Sequence, residues 1–325
     1  MSVVVCSWGA ERDGLPAGAE ERLGLGRTLA QELGRELVWL SLGPLAERAL
    51  EVASAHGVAR LDRIDDPALR DLHADVYVEA LAQYWALRAP AVGLFGQGFD
   101  TRLIAPRLAG RTGAAVVMNG VAAGRGAHGD LEVTAAAYGG DTRAVYSIAK
   151  GRPCLIALPA GALRADSPQG GASTPEISEV PVALGSVEER IRVVQSARSE
   201  GPRLEDAQII VAGGRGLGSV EHYAWIEKLA AALGGVPAAS RPLVDERWVD
   251  ASRQVGLTGR ITRPALYLAA GISGASQHMA GCAAAKTIAA IRGDRDAAIF
   301  RYARYGIVGD CLEILPELVR AAKER

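Results

Sequence analysis

The residues best suited to chemistry lie between Pro264 and Asp310, in the run PALYLAAGISGASQHMAGCAAAKTIAAIRGDRDAAIFRYARYGIVGD. Leu266 to Ala270 reads as a buried strand that ends at Gly271. A glycine there leaves the amides that follow free to face a ligand at the carboxyl edge of a parallel sheet. Ser273, Gln277 and His278 add side-chain hydrogen bonding in the same crevice. Three catalytic uses of these residues can be tested. A hydrolase nucleophile elbow needs glycine two places after its serine, but Ser273 is followed by Gly274 and Ala275. A metal site needs clustered ligands, and the five histidines stand apart, with no HExxH or paired-carboxylate spacing. His278 as a general base needs a nucleophile to activate, and the sequence identifies none. The flanking Ser and Gln favour a polar contact to a bound molecule.

Upstream motifs point the same way. Gly213-Gly214-Arg215-Gly216-Leu217-Gly218 sits between a strand pattern and a helix pattern, where amides and a positive helix end favour an anion. It is neither a dinucleotide GxGxxG nor a P-loop, and many such turns are glycine-rich for steric reasons. Arg215 adds a guanidinium able to pair with a pyrophosphate. Ser240-Arg241-Pro242 offers a fixed cation, and Gln254-Val255-Gly256-Leu257-Thr258 places amide donors beside a hydroxyl. Each alone is ordinary turn chemistry. Their occurrence in this order, ahead of GISGASQH, is far less expected by chance.

The elements that must position these residues alternate between strand and helix. Strand patterns cover Val3 to Ser7, Glu36 to Leu42, Ala59 to Ile64 and Val92 to Gly96. Helix patterns cover Glu20 to Leu33, Leu45 to His56, Pro67 to Leu87 and Thr101 to Arg111. Such alternation predicts a parallel sheet covered on both faces. From Ala114 to Leu158 short runs divided by Gly-rich turns, Gly139-Gly140-Asp141 among them, predict added antiparallel hairpin strands. Arg164 to Ser186, rich in Pro, Gly, Ser and Thr, reads as an interdomain connection with a short strand near Ile177 to Val182. A second alternating unit opens with the strand Gln208 to Ala212 and a helix from Ser219, stopped by Gly234-Gly235. The fold class expected is α/β, two Rossmann-like domains with mainly parallel sheets. Their expected extents are residues 1–185, an N-terminal domain with its linker, and residues 186–325, a ligand-binding domain.

Bulk properties agree with two domains, since 325 residues is long for one core. A net charge of −1 gives no electrostatic case for nucleic acid or an anionic membrane. No apolar run is long enough to cross a bilayer. The N-terminus enters a strand pattern directly, without an export signal, so a cytoplasmic protein is expected. Cys6, Cys154, Cys282 and Cys311 are far apart, so neither a zinc site nor a disulfide framework is expected.

The order GGRGL, SR, QVGLTG, GISGASQH closely resembles the flavin-binding signature of the electron transfer flavoprotein alpha subunit. The likeness extends to GQGFDTRLIAPRLAGRTG and YGGDTRAVYSI, and so to nearly the whole chain. It implies FAD in the second domain and a heterodimer with a beta subunit. It further implies electrons taken from a flavin-dependent dehydrogenase and passed to a quinone reductase or another acceptor. The chain would then be an electron carrier, not a stand-alone enzyme, with no catalytic acid, base or nucleophile. The resemblance puts Arg215 near the cofactor phosphates and Ser240 and Arg241 at the isoalloxazine. There the charge would favour the reduced flavin. It places Gln254, Val255, Gly256 and Thr258 around the ring, Thr258 near N5. Gly271, Ser273, Gly274, Gln277 and His278 line the same crevice, with His278 near O2.

Three departures stand out. Leu257 replaces a glutamine, and Ile291-Arg292 and Ala303-Arg304 replace an Ile-Asn and an Ala-Asp that hold the adenosine end in the family. Arginine only donates hydrogen bonds where aspartate accepts them, so the contact changes in kind. Either Arg292 and Arg304 turn toward phosphate oxygens, or both face solvent and adenosine affinity is lost. The second fits a cofactor-poor structural subunit of the same fold. The departures themselves suggest a specialised paralogue with a dedicated dehydrogenase. A nucleotide-dependent enzyme using His278 as acid or base is a further alternative.

Overall fold

The computed structural model describes residues 1–8, 15–16, 18–137, 142–159, 162–163, 174–190, 204 and 207–324. The chain divides into two compact units, the first within residues 1–196 and the second running through Ala197–Arg325.

In unit 1 the β-branched run of β1 (Val3–Trp8) is buried on both faces, as the central strand of a helix-covered parallel sheet must be. Helix α1 (Ala19–Leu33) follows and ends at Gly34, whose φ of 60° is a left-handed conformation that glycine adopts without a Cβ penalty. Then come β2 (Leu37–Leu42), α2 (Ala49–Ala55), β3 (Arg60–Ile64), α3 (Ala74–Arg88), β4 (Val92–Gly96) and α4 (Phe99–Thr112). Strands β5 (Ala115–Val117), β6 (Gly120–Arg125), β7 (Leu131–Ala137), β8 (Thr142–Ile148), β9 (Cys154–Leu158) and β10 (Glu176–Glu179) complete the unit. The main sheet has the order β10-β3-β2-β1-β4-β9-β5, parallel throughout. Its strand order reverses between β1 and β4. The antiparallel strands expected after Ala114 form a separate three-stranded sheet, β6-β7-β8. Gly139-Gly140-Asp141 and residues 164–173 lie outside the described residues. The short strand expected near Ile177 is β10, paired parallel with β3 at the sheet edge.

One helix is shorter than its pattern. The stretch from Pro67 to Leu87 splits into a 3-10 turn at Pro67–Leu69 and then α3. The Asp66 side chain accepts from the Ala68 N–H, and Pro67 has no N–H to give. This local turn satisfies the backbone before an α-helix can nucleate, and extended backbone at His73 separates the two.

Unit 2 contains β11 (Ile209–Gly213), α5 (Tyr223–Ala232), β12 (Val236–Ala239), α6 (Arg241–Asp245), β13 (Leu266–Ala270), α7 (Ser276–Met279), β14 (Thr287–Arg292), β15 (Tyr305–Val308) and α8 (Cys311–Lys323). Its sheet runs β12-β11-β13-β14-β15, all parallel, and reverses order between β11 and β13. Together the sheets give the expected α/β architecture with mainly parallel strands. The helix expected from Ser219 starts only at Tyr223, after 3-10 turns at Arg215–Leu217 and Val220–His222. Gly218, at φ 82°, interrupts the helical path between them. One apolar face of α5, built from Tyr223, Ile226, Leu229 and Ala230, packs with Leu217, Leu315 and Val319 against the sheet. Tyr267, Met279 and Ile288 belong to the other core of the unit. No helix among the described residues is long and apolar enough to cross a membrane.

Candidate cofactor-binding site

A cavity of about 510 Å³ opens in unit 2 beside the carboxyl ends of β11, β12, β13 and β14. This is the edge of an open parallel sheet, at the point of strand-order reversal, where ligands are usually held. Arg215 and Gly216 follow β11, Ser240 and Arg241 follow β12, Gly271 and Ser273 follow β13, and Arg292 ends β14. The loop from Gln254 to Thr258 closes another side, and Gln277 and His278 come from α7.

Two glycine loops meet beneath the cavity. The Gly214 N–H donates to Ala270 O at 2.9 Å, and the Gly216 N–H donates to Gly271 O at 3.0 Å. A Cβ on Gly214 would lie 2.5 Å from the Gly271 carbonyl oxygen. One on Gly271, itself at φ 69°, would lie 2.9 Å from the Gly216 carbonyl carbon. Backbone meets backbone here, so no other residue fits. The weld also sorts the amides. Those of the GGRGLG turn at Gly214, Gly216, Leu217 and Gly218 are used internally, whereas those of residues 272–275 donate to no backbone carbonyl. The loop after β13 therefore offers most of the free donors, while in the glycine-rich turn after β11 only the Arg215 N–H has no backbone acceptor among the described residues.

Three arginines line the cavity. Arg292 is partly buried, and its Nη1 donates to Gly271 O at 3.1 Å, which draws the guanidinium back over the glycine weld. Arg215, exposed, lines the same cavity. Arg241 is exposed, and its Nε lies 3.2 Å from Asp245 Oδ2 one turn along α6. Such a surface pair contributes little to stability and leaves the guanidinium available to a ligand. Ser240 is buried at the start of α6. Gln254, also buried, donates through Nε2 to Thr258 Oγ1 at 2.9 Å, while the Leu257 N–H donates to Gln277 O at 2.7 Å. These two bonds hold the Gln254–Thr258 loop in shape and tie it to α7.

His278 differs from these exposed groups, being only 8% exposed. Its Nε2 lies 3.0 Å from the Tyr267 hydroxyl, and its Nδ1 is buried with no partner of normal hydrogen-bond geometry. Burial pushes its pKa down to about 4, against a smaller opposing effect of the Val255 carbonyl. The ring is neutral at pH 7.

Two of the residues expected at the site are not on the cavity wall. Gly274, at φ 85°, packs so closely that a Cβ would sit 2.2 Å from Ile299 N, so it shapes the loop from behind. Arg304 is exposed beside β15, with its guanidinium carbon 5.8 Å from the centre of the Tyr305 ring, and does not line the cavity. The two arginines expected at the adenosine end therefore behave differently. Arg292 faces the site, and Arg304 lies apart from it. Gly216, Pro242, Leu257, Ile272 and Ala275 also line the cavity. Gly216 sits within the glycine-rich turn and was detectable by its spacing. Leu257 was marked as a departure from the family loop, and Pro242, Ile272 and Ala275 gave no signal of their own.

A larger cavity, about 810 Å³, lies in unit 1. It opens at the amino edge of that sheet, beside Met1, Pro90 and Pro153, which precede β1, β4 and β9. Two of its cations serve the backbone there, Arg35 donating to Met1 O and Arg152 to Gly113 O. Size alone does not mark the functional site. The unit 2 cavity combines free amides, cations and an unpartnered buried imidazole nitrogen at the carboxyl edge.

Residues 203–283 match the family model described as the electron transfer flavoprotein FAD-binding domain, and residues 10–184 match the electron transfer flavoprotein domain. The chain belongs to the electron transfer flavoprotein alpha subunit family. The electron transfer flavoprotein subunit alpha of Clostridium acetobutylicum is 33% identical over 318 residues, covering 96% of this chain and 95% of that protein. Protein FixB of Clostridium saccharobutylicum is 34% identical over 305 residues, covering 94% and 91%. The subunit alpha of Mycobacterium tuberculosis H37Rv reaches 38% over 248 residues, covering 76% of each chain. The cofactor of this family's second domain is FAD. The cavity suits it chemically. FAD carries an anionic diphosphate, which guanidinium and amide donors match, and a ring with polar edges, which the neutral imidazole and the Gln254–Thr258 pair match. No cluster of three or more metal-binding side chains occurs among the described residues.

Proposed function

We propose that this chain is the FAD-carrying subunit of an electron carrier, with FAD held in the unit 2 cavity. FAD supplies the redox chemistry, accepting and returning electrons. The chain binds, orients and tunes it. Arg215 and Arg292 face the diphosphate, where Arg292 adds a cation at the position expected to contact adenosine. The amides of Ile272, Ser273 and Ala275 and the Ser273 hydroxyl donate to the cofactor. Arg241, with Ser240 beside it, sets positive charge against the ring, which favours its reduced form. Gln254 and Thr258 hold the ring's edge, Val255 and Gly256 supply its close-fitting wall, Gln277 adds an amide, and His278 contributes an uncharged imidazole.

The observation that carries this reading is the nature of the cavity. Its polar groups are donors and cations on a welded glycine base, and no side chain there pairs with a base to form a nucleophile. That supports a carrier over a stand-alone enzyme. The drawing of Arg292 onto the cavity wall counts against a cofactor-poor structural role.

The carrier works as a heterodimer with a beta subunit, between a flavin-dependent dehydrogenase as donor and a quinone reductase or another acceptor. Support for a partner comes from unit 1, where β8 pairs with β7 on one side, has no strand on its other edge among the described residues, and carries Val145 62% and Tyr146 47% exposed. Exposed apolar edges are surfaces that proteins ordinarily cover. The test is co-purification with the beta subunit, followed by an absorption spectrum and identification of the released cofactor. One FAD bound through unit 2 is the expected outcome. A complex that stays colourless in excess FAD would overturn the reading.

A further inference from the structure

His278 is the one buried, neutral hydrogen-bonding ring on the cavity wall, so its use depends on which nitrogen carries the proton. Tyr267 bears on that choice. It is the second residue of β13, is 0% exposed, and does not line the cavity. Its hydroxyl must find a partner inside the core, because an unsatisfied buried hydroxyl is costly. Two acceptors are within reach, His278 Nε2 at 3.0 Å and the Cys282 sulfur. The Cys282 thiol itself is directed at His278 O, 3.6 Å away. A neutral imidazole nitrogen accepts far better than a thiol sulfur, so the phenolic proton goes to Nε2. A neutral ring that accepts at Nε2 carries its own proton on Nδ1. The nearby Val255 carbonyl favours a proton on that side of the ring. Nδ1 is itself buried and has no hydrogen-bond partner of normal geometry among the described residues.

The geometry points to Tyr267 as a positioning residue that fixes the tautomer of His278, so that the ring on the cavity wall carries its proton on Nδ1 and meets the flavin as a neutral imidazole of defined polarity. This rests on the FAD reading above. Tyr267 acts from behind, without touching the cofactor, and Cys282 packs against the pair without directing it.

The test uses the two-subunit protein with ¹⁵N-labelled histidine, examined by NMR with FAD bound and after FAD is stripped. His278→Gln assigns the signal among the chain's five histidines. In the unsubstituted protein Nε2 should resonate as an unprotonated nitrogen in both states, and Nδ1–H should shift when FAD is added. Tyr267→Phe removes only a hydroxyl. It should bring both nitrogens to averaged values and weaken FAD about two- to fivefold, since only part of the population then holds the donor form. Cys282→Ala should leave tautomer and affinity unchanged. A protonated Nε2 in the unsubstituted protein overturns the proposal, as does an unchanged tautomer in Tyr267→Phe or a switch caused by Cys282→Ala. Should the tautomer be as expected while Nδ1–H ignores added FAD, the placement of the flavin fails and the Tyr267 contact stands.

Discussion

Both units are open parallel sheets whose strand order reverses once, between β1 and β4 in unit 1 and between β11 and β13 in unit 2. The same topology offers a crevice in each, yet the residues at the two carboxyl edges treat it in opposite ways. In unit 1 Trp8 ends β1 and donates through Nε1 to Asp100 Oδ2. Arg22, 3% exposed, packs against Gly96 at the end of β4, where a Cβ would meet its Nη1 at 2.7 Å. Burial lowers the Arg22 pKa to about 10, and Glu21, Cys6 and Asp100 partly offset this. An indole and a guanidinium thus occupy ground that unit 2 leaves as a 510 Å³ cavity floored by glycines. Topology provides the place for a ligand, and side-chain volume decides whether it is kept free.

The largest way to disturb this contrast is to give the welded loop of unit 2 a side chain. Gly274→Val places a Cβ against Ile299 N in a left-handed conformation and should cost unit 2 about 3 kcal/mol or more, with loss of FAD. The control in unit 1 is Gly34→Ala, where φ is also positive but no atom lies within 4 Å, and about 1 kcal/mol is expected. Chemical denaturation of both variants measures the difference.

Acid should separate the units next. His278 has a folded pKa of about 4, below its ordinary 6.5. The unfolded chain therefore binds the proton first, and stability is full above 6.5 and falls as pH drops from 6.5 to 4. The loss approaches about 3 kcal/mol in unit 2. His278→Gln should flatten that slope. An unchanged slope in this variant would mean that the imidazole is not held neutral by burial.

Filling and emptying come third. Arg22→Ala should destabilise unit 1 by about 2 kcal/mol, because Glu21 and Asp100 lose a cation and Gly96 a buried neighbour. FAD content should stay within about twofold of the parent, since bound charge and amides, not space alone, hold the cofactor. Flavin gained by unit 1 in this variant would break the comparison.

The smallest effects contrast the two substituted adenosine positions. Arg292→Ala should weaken FAD about tenfold, as expected for one partly exposed charge-assisted contact. Arg304→Ala and Arg304→Asp should each change it by less than about twofold. Titration of stripped protein with FAD measures all three, and a larger effect at Arg304 than at Arg292 would reverse the assignment.

Much of this was legible in the residues. Strands β4 and β13 fall on the expected ranges Val92–Gly96 and Leu266–Ala270, because short apolar runs bounded by Gly or Pro have few other uses. Twelve of the fourteen expected site residues, all but Gly274 and Arg304, line one cavity. The Pro67–Leu87 stretch misled because helical periodicity continues through a segment whose Asp66 side chain and Pro67 favour a local turn. The free amides were expected at two loops and occur mainly at one, because bonds across the glycine weld and within the turn itself consume four of those after β11.

The sequence by itself determined the alternating strands and helices, the antiparallel addition, the order of the flavin-family motifs and the two arginine replacements. These follow from residue type and spacing along the chain, which local sterics and periodicity translate directly. Only the tertiary structure decided that Arg292 turns inward while Arg304 stays out, that unit 1 fills its crevice, and that Tyr267 stands behind His278. Each of these is a contact between residues distant along the chain or on different elements, and which groups meet is settled by packing, burial and the need to pair every buried polar atom.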